Sequence, residues 1–333
     1  IWLGVMLCVV LIADLFDRSQ QSRLAFFLTQ LTLLGAIGLA LYTHWGVERA
    51  ITFNGMYVSD SLSAVLKVTV AGLSMVTLGY SRDYLRQRDL LKGEFYLLAL
   101  IANLGMFVMA SASSLLVLYV GLEMLSLSLY ATVAFDRDSR IGAEAAMKYF
   151  VLGALSSGMM LYGMSMIYGA SGSLMIDTIA SHAAAGDNLL LMAFGMTFAL
   201  VGVAFKFGAA PFHMWLPDVY QGAPTSATAS LGTAPKIAAL ALFLRLLVDG
   251  LGDLHDQWQA MAVLLAVGSL AVGNLFALVQ TNFKRMLAYS TVSHIGFLFL
   301  GLIAGTPEGY SAALFYAISY GIMASGAFGM IIL

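Results

Sequence analysis

The sequence predicts an all-α, polytopic transmembrane helical bundle, and three observations carry that prediction. Apolar runs of 18 or more residues recur from end to end, each long enough to cross a bilayer as a helix. Of the 333 residues, 60% are hydrophobic and only 10% are charged, where a soluble chain carries about 25%. The runs are continuously apolar, which excludes an outer-membrane barrel, whose strands alternate apolar and polar residues.

Eleven spans are read in order, and the first covers about 1–15. It opens IWLGVMLCVV, with neither an initiator Met nor a basic region, so no signal peptide is read. The second covers 24–44. Between 45 and 60 the mixed stretch VERAITFNGMYVSD is bounded by turn residues and predicts a small extramembrane hairpin. The third span, 61–80, carries Lys67 a turn or so inside, where a lysine snorkels to the interface. The fourth and fifth cover 95–110 and 114–134. The sixth, 145–168, places Lys148 four residues after Glu144, the favoured order for a local ion pair. Gly153 and Ser157 in the same span read as close helix packing. The seventh, 189–210, runs into Lys206, Gly208 and Pro211, where the helix is expected to break. The eighth, 226–248, contains Pro235-Lys236. The ninth, tenth and eleventh cover 257–279, 286–304 and 310–333. Both chain ends read as cuts through membrane helices, so a longer natural protein is expected.

Counting Lys and Arg in the loops sets the orientation. Loops after odd spans hold ten, among them Arg18, Arg23, Arg82, Arg86, Arg88, Lys92, Lys284 and Arg285; loops after even spans hold two, Arg49 and Arg245. Odd-numbered exits are therefore assigned to the cytoplasm and the first residue to the periplasmic side. Residues 211–225 become a cytoplasm-facing or re-entrant segment.

The net charge is −2 with no dense basic cluster, which argues against nucleic acid as a partner. The single cysteine, Cys8, excludes an intrachain disulfide and a Cys-ligated iron–sulfur cluster. No Gly-rich dinucleotide motif or P-loop is present. The sequence offers no nucleotide, metal or redox centre, and no cofactor is expected in this chain.

What remains are charges in apolar surroundings. Glu123 sits near the middle of SLLVLYVGLEMLSLSLYATVAF, where a carboxylate costs roughly 2.5–3.5 kcal/mol on insertion scales. Lys236 lies about 15 Å deep in TSATASLGTAPKIAALALFLRLL, near the bilayer centre. Pro235 has no N–H, so the Leu231 carbonyl loses its helical partner, and Lys236 is expected in a polar pocket beside it. Thr225, Ser226, Thr228, Ser230 and Thr233 fill the cytoplasmic half of that span and suit a chain of waters. A broken helix at Lys206 is tolerated only where protein or a water-filled cavity satisfies the freed backbone. Desolvation loosens a lysine's hold on its proton and a nearby carboxylate tightens it. Making and breaking a Glu123–Lys206 pair is thus the minimum of a proton relay. The alternative is a buried pair that only glues helices. Lys148 divides between a local pair and a relay role. His294, in STVSHIGFLFL, divides between helix packing and a relay role. His213, Trp215 and Asp218 read first as residues that hold the loop's fold.

Taken together, FKFGAAPFHMWLPDVYQGAPTSATASLGTAPKIA, the stretch at 94–135 and QTNFKRMLAYSTVSHIGFL at 280–298 resemble the antiporter-like membrane subunits of respiratory complex I. That complex is the proton-pumping NADH:quinone oxidoreductase. PDVYQGAP and the 280–298 stretch resemble one sister subunit in particular, whereas Mrp-type cation/proton antiporters diverge after the aspartate. The resemblance implies about fourteen helices, with inverted five-helix repeats and a broken helix seven, of which this chain holds about eleven. The organisation it implies is 1–94 as N-terminal helices, 95–248 as the first five-helix unit and 249–333 as the start of the second. Carried over by motif, Glu123, Lys206 and Lys236 match the relay glutamate and lysines of helices five, seven and eight, and Lys148 a lysine of helix six. His213, Asp218 and His294 are secondary candidates. A further relay lysine, on helix twelve, falls beyond the chain. FMN, iron–sulfur clusters and quinone are then expected in partner subunits. The expected partners are the other membrane subunits, sister antiporter-like subunits included, and the lipid bilayer; the expected location is the bacterial inner membrane. Two readings compete with this one: an Mrp-type antiporter subunit, and a scaffold that spans the membrane without pumping.

Overall fold

A computed structural model describes residues 1–16, 22–44 and 49–333. Ten helical segments among them are long and apolar enough to cross a membrane, and an eleventh apolar helix, α1 (Trp2–Phe16), is shorter. The segments coincide with the eleven expected spans. They are α2 (Arg23–His44), α3 (Ser61–Gln87), α4 (Gly93–Ala110), α5 (Leu115–Val133), α6 (Arg140–Ser171), α8 (Leu189–Phe207), the composite run Thr225–Asp249, a run that includes α12 (His255–Leu278), α13 (Phe283–Ile303) and α14 (Pro307–Ile332). The hairpin also forms, pairing Ala50–Thr52 with Tyr57–Ser59 antiparallel. Its residues 45–48, and Arg18 from the charge count, lie outside the described residues.

Helix starts follow side-chain chemistry. Asp60 caps α3: its carboxylate accepts from Ser63 N at 2.8 Å and Ser63 Oγ accepts from Asp60 N, a reciprocal box. Ser139, Asn282 and Thr306 cap α6, α13 and α14 through one backbone N–H each. Helices approach closely where glycines meet. A Cβ on Gly105 would fall 2.6 Å from the Gly121 carbonyl across α4 and α5, and one on Gly195 2.7 Å from that of Gly163 across α8 and α6.

Two breaks position the interior. The first was expected: α8 stops at Phe207, Gly208 turns left-handed (φ 77°), and α9 (Trp215–Gly222) begins after an irregular stretch. The second divides span eight into α10 (Thr225–Gly232) and α11 (Ala234–Phe243), hinged at Thr233 (φ −116°, ψ −99°), with a π-helical turn at Leu244–Asp249. Pro235 signals one lost hydrogen bond; the structure shows a full break two residues earlier, at Thr233. This run is the centre of the molecule: 89% of its apolar window is buried, against 28–56% for the other nine. A short amphipathic helix, α7 (Ile176–Ala185), lies between α6 and α8 and was not anticipated.

One assignment is corrected. Arg245, counted above as a loop charge, is buried in the π turn. It donates to both Asp60 oxygens at 2.8 Å, to Asp249 at 2.9 Å and to the Ala110 carbonyl. Its charge therefore reports a structural clamp and carries no topological vote.

Candidate functional site

The two breaks bring Lys206 and Lys236 together. Lys206 is the penultimate residue of α8, and Lys236 is the third of α11. Lys236 is 2% exposed. Its Nζ donates to the Phe207 carbonyl at 2.8 Å and to the Lys206 carbonyl at 3.4 Å. The expectation of a seat beside the Leu231 carbonyl is thus replaced: the ammonium takes the free carbonyl end of α8, where the helix dipole also favours a cation. Both lysines line one small cavity of about 20 Å³, whose walls include Leu129, Leu231, Pro235 and Trp215. That is room for about one water. Trp215 lies with its ring 5.2 Å from Lys236 Nζ, stacks on Tyr149, and donates its indole N–H to the Phe205 carbonyl. It therefore covers the site as well as holding the loop.

Glu123 and Lys206 are not in ion-pair contact. Lys206 Nζ donates instead to Ser126 Oγ, which donates its own proton to the Leu122 carbonyl. Glu123 accepts from Ser157 Oγ. Ser126 lies three residues after Glu123, so both face the same side of α5 and the acid stands one turn from the lysine's seat. The expected pair is replaced by two serines, one on each charge. Ser157, read above as a packing residue, is instead a ligand of the acid; Gly153 does pack, against the Tyr130 ring. Tyr130 has a buried hydroxyl with no partner among the described residues, and Lys206 Nζ lies 5.8 Å from its ring centre. The sequence reading missed Ser126, Tyr130 and Tyr149. The helical spacing from Glu123 to Ser126 was the available signal.

The other candidates lie elsewhere. Lys148 is half exposed and joins an ion cluster: Glu144 at 2.9 Å, and Asp218 at 2.8 Å, which also takes Arg285 at 2.6 Å. This ties α6, α9 and α13 together, so Lys148 is apart from the lysine pair and Asp218 holds the α9 segment. Burial pushes the Asp218 carboxyl up, but hydrogen bonds and charge from Lys148 and Arg285 outweigh it and hold it below its ordinary value. His213 lies in the turn before α9, its Nδ1 without a partner among the described residues. Burial lowers its proton affinity, and a hydrogen bond from the ring to the Pro211 carbonyl opposes that only in part. His294 pairs through Nδ1 with Tyr316 Oη at 2.7 Å, linking α13 to α14. Lys67 does not snorkel: it is 5% exposed and donates to Tyr57 Oη at 2.8 Å. Burial pushes the Tyr57 phenol up, but the charge and hydrogen bond of Lys67 more than offset that and leave it lowered.

Among the described residues no group of three or more His, Cys, Asp or Glu side chains is arranged to hold a metal. The site is a set of buried cations, hydroxyls and one acid. Each of these groups is one that can bind or donate a proton.

Comparison with known proteins gives a consistent picture. Residues 112–333 match the family described as NADH:quinone oxidoreductase/Mrp antiporter, transmembrane. NADH-quinone oxidoreductase subunit N of Alkalilimnicola ehrlichii is 61% identical over 334 residues, covering 100% of this chain and 68% of the relative. A chain of respiratory complex I from Thermus thermophilus, solved with bound aureothin, superposes with a TM-score of 0.83 at 36% identity, covering 99% of this chain and 69% of that one. A chain of the Mrp complex from Dietzia superposes with a TM-score of 0.86 at 21% identity, over 98% of this chain and 62% of its own, which shows a common fold.

Proposed function

Because this chain belongs to the NADH:quinone oxidoreductase/Mrp antiporter family, as a subunit N of the proton-translocating NADH:quinone oxidoreductase, we propose that Lys206 and Lys236 are the proton carriers of this membrane subunit and that Glu123 controls them. The single observation behind this reading is the shared cavity: two buried lysines, on separate helices, reach one small chamber at two helix breaks.

The geometry supports a sequence of proton positions. With Lys206 on Ser126 and Glu123 on Ser157, the acid and the lysine are held apart by hydroxyls. Bringing the carboxylate to the ammonium strengthens the lysine's hold on its proton, and parting them weakens it. A proton leaving Lys206 crosses the cavity to Lys236, whose charged form the Lys206 and Phe207 carbonyls accommodate. The driving change arises in partner subunits that carry FMN, iron–sulfur clusters and quinone, and reaches this chain as a coupling between sites. Sister antiporter-like subunits are its neighbours, and the cytoplasm lies on the side of the basic loops.

The test uses membrane vesicles from cells carrying Lys206→Ala, or separately Glu123→Ala, in the full-length subunit. NADH oxidation and acidification of the lumen are followed together. With normal assembly, both activities fall in each variant. Wild-type levels of both in the two variants would overturn the relay and favour a scaffold.

A further inference from the structure

Lys67 is a buried cation that the relay does not use. Tyr57 Oη accepts one hydrogen bond from its ammonium, at 2.8 Å, and an ammonium has three N–H donors, so two remain. Lys67 forms no ion pair among the described residues. Asp60, the acid nearest to it in sequence, is held by Arg245. A buried lysine with no anion is costly, and the cost persists only where a charge or solvent answers it.

The ammonium borders a crevice of about 330 Å³ that runs between α1, α2, α4 and the hairpin. Lys67 is the seventh residue of α3, and helical side chains lean toward their own N-terminus, here toward the hairpin. It stops at Tyr57, a hairpin residue, without reaching solvent. The charge therefore stands at the hairpin-side surface of the bundle, the level of lipid phosphates. Below it the crevice is apolar. Leu39 and Ala40 form its α2 wall, Leu104 and Phe107 its α4 wall, and Trp2 lies across its α1 side. Ala36, eight residues before the hairpin-side end of α2, also lines it, so the walls descend roughly 12 Å at 1.5 Å per residue. Leu39 is 43% exposed, so the crevice opens on the outer face of α2, where lipid lies.

We infer that this crevice binds a phospholipid, with the phosphodiester on Lys67 and Tyr57 and one acyl chain between α2 and α4. A free inorganic anion or an acidic side chain would satisfy the ammonium but leave the apolar walls empty. A neutral lipid would fill the walls and leave the ammonium without a charge. A phospholipid answers both, and it braces α1 and α2 against α3 and α4. The site is separate from the lysine pair and does not rest on the relay reading.

Photolabelling of the assembled complex tests the assignment. The purified complex is stripped of lipid and given phosphatidylglycerol with a diazirine on its acyl chain, and labelled peptides are mapped by mass spectrometry. Label is expected at Leu39–Ala40 and at Leu104–Phe107. Diacylglycerol with the same chains but no phosphate is expected to label these walls about tenfold less, the loss expected for a hydrogen bond to a charged group. Lys67→Gln is expected to bring phosphatidylglycerol down to the diacylglycerol level, and Lys67→Arg to keep it near wild type. Excess inorganic phosphate is expected to leave the label in place, and so is Lys206→Ala. Equal labelling by the two lipids in wild type would overturn the inference without any variant. Unchanged labelling in an assembled Lys67→Gln complex would do the same. Absence of label from both walls would show the crevice to be filled by protein, and displacement by phosphate alone would make this a site for a free anion; either result ends the lipid assignment.

Discussion

At the residue scale the central feature is that two serines stand where an ion pair was expected. Lys206 has a hydroxyl for a seat and Glu123 has another, so neither charge is committed to its opposite. Burying a directly paired acid and lysine tends to lock both; a serine in between leaves them exchangeable. Ser126→Ala removes the seat and is expected to slow proton uptake about tenfold, the rate equivalent of losing about 1.4 kcal/mol from a hydrogen bond to a charged group. Ser126→Thr keeps the hydroxyl and is expected to retain uptake. Equal losses in the two variants would show that the position matters for packing alone. The charges Glu123, Lys206 and Lys236 were legible in the sequence because an ionisable residue in an apolar run is conspicuous. Their serine partners were not, because serine is common in membrane helices and costs little there.

At the scale of elements, the breaks do the positioning. Gly208 ends α8 with φ 77°, and a Cβ there would collide with Leu216 of α9 and lie 3.7 Å from Lys236 Nζ. Gly172 has a similar φ, 67°, but open space around its Cβ position. Alanine at either site incurs the left-handed penalty of roughly 1–2 kcal/mol. Gly208→Ala is therefore expected to lower the thermal midpoint of the assembled complex more than Gly172→Ala, and to be the only one of the two that lowers proton uptake. An equal effect of both would refute the claim that the α8–α9 joint shapes the lysine seat. Gly208 and Pro211 announced the first break, since both residues oppose helix. The second was only half announced: Pro235 removes one hydrogen bond, but nothing in the local sequence marks Thr233 for its ψ of −99°. The amphipathic α7 and the π turn left no signal strong enough to separate them from a loop and a helix end.

At the scale of the whole molecule, Arg245 ties distant segments together: the start of α3 through Asp60, the end of α4 through Ala110, and the π turn after α11 through Asp249. Arg245→Ala strands two carboxylates and is expected to destabilise the subunit by about 3–5 kcal/mol, read as loss of assembled complex or a lowered thermal midpoint. A midpoint within a degree of wild type would show the clamp to be idle. Burial pushes the Asp60 carboxyl up, yet Arg245's charge and the Ser63 and Arg245 hydrogen bonds overcome it, so the folded value lies below the ordinary one. The sign follows. Asp60's contribution is complete above the ordinary carboxylate pKa of about 3.9 and is lost as pH falls through the lower folded value. Thermal midpoints measured on descending from neutral pH should fall in wild type and fall less steeply in Asp60→Asn; parallel curves would place the acid sensitivity elsewhere.

Apolar length, loop charge and the Gly/Pro breaks made the bundle and its spans readable in one dimension. A bilayer imposes a length and a hydropathy that each segment satisfies by itself. The same reasoning singled out Glu123, Lys206 and Lys236 as charges in apolar runs. It misplaced Arg245 and Lys67, foresaw the Lys148–Glu144 pair but not the Asp218 that joins it, and linked Glu123 directly to Lys206. Each of those depends on which helix faces which, and helix rotation and crossing are fixed by packing among segments far apart in sequence. Ser126 reaches Lys206 across 80 positions and Arg245 reaches Asp60 across 185. Only the tertiary structure could decide such contacts, because no local periodicity records them.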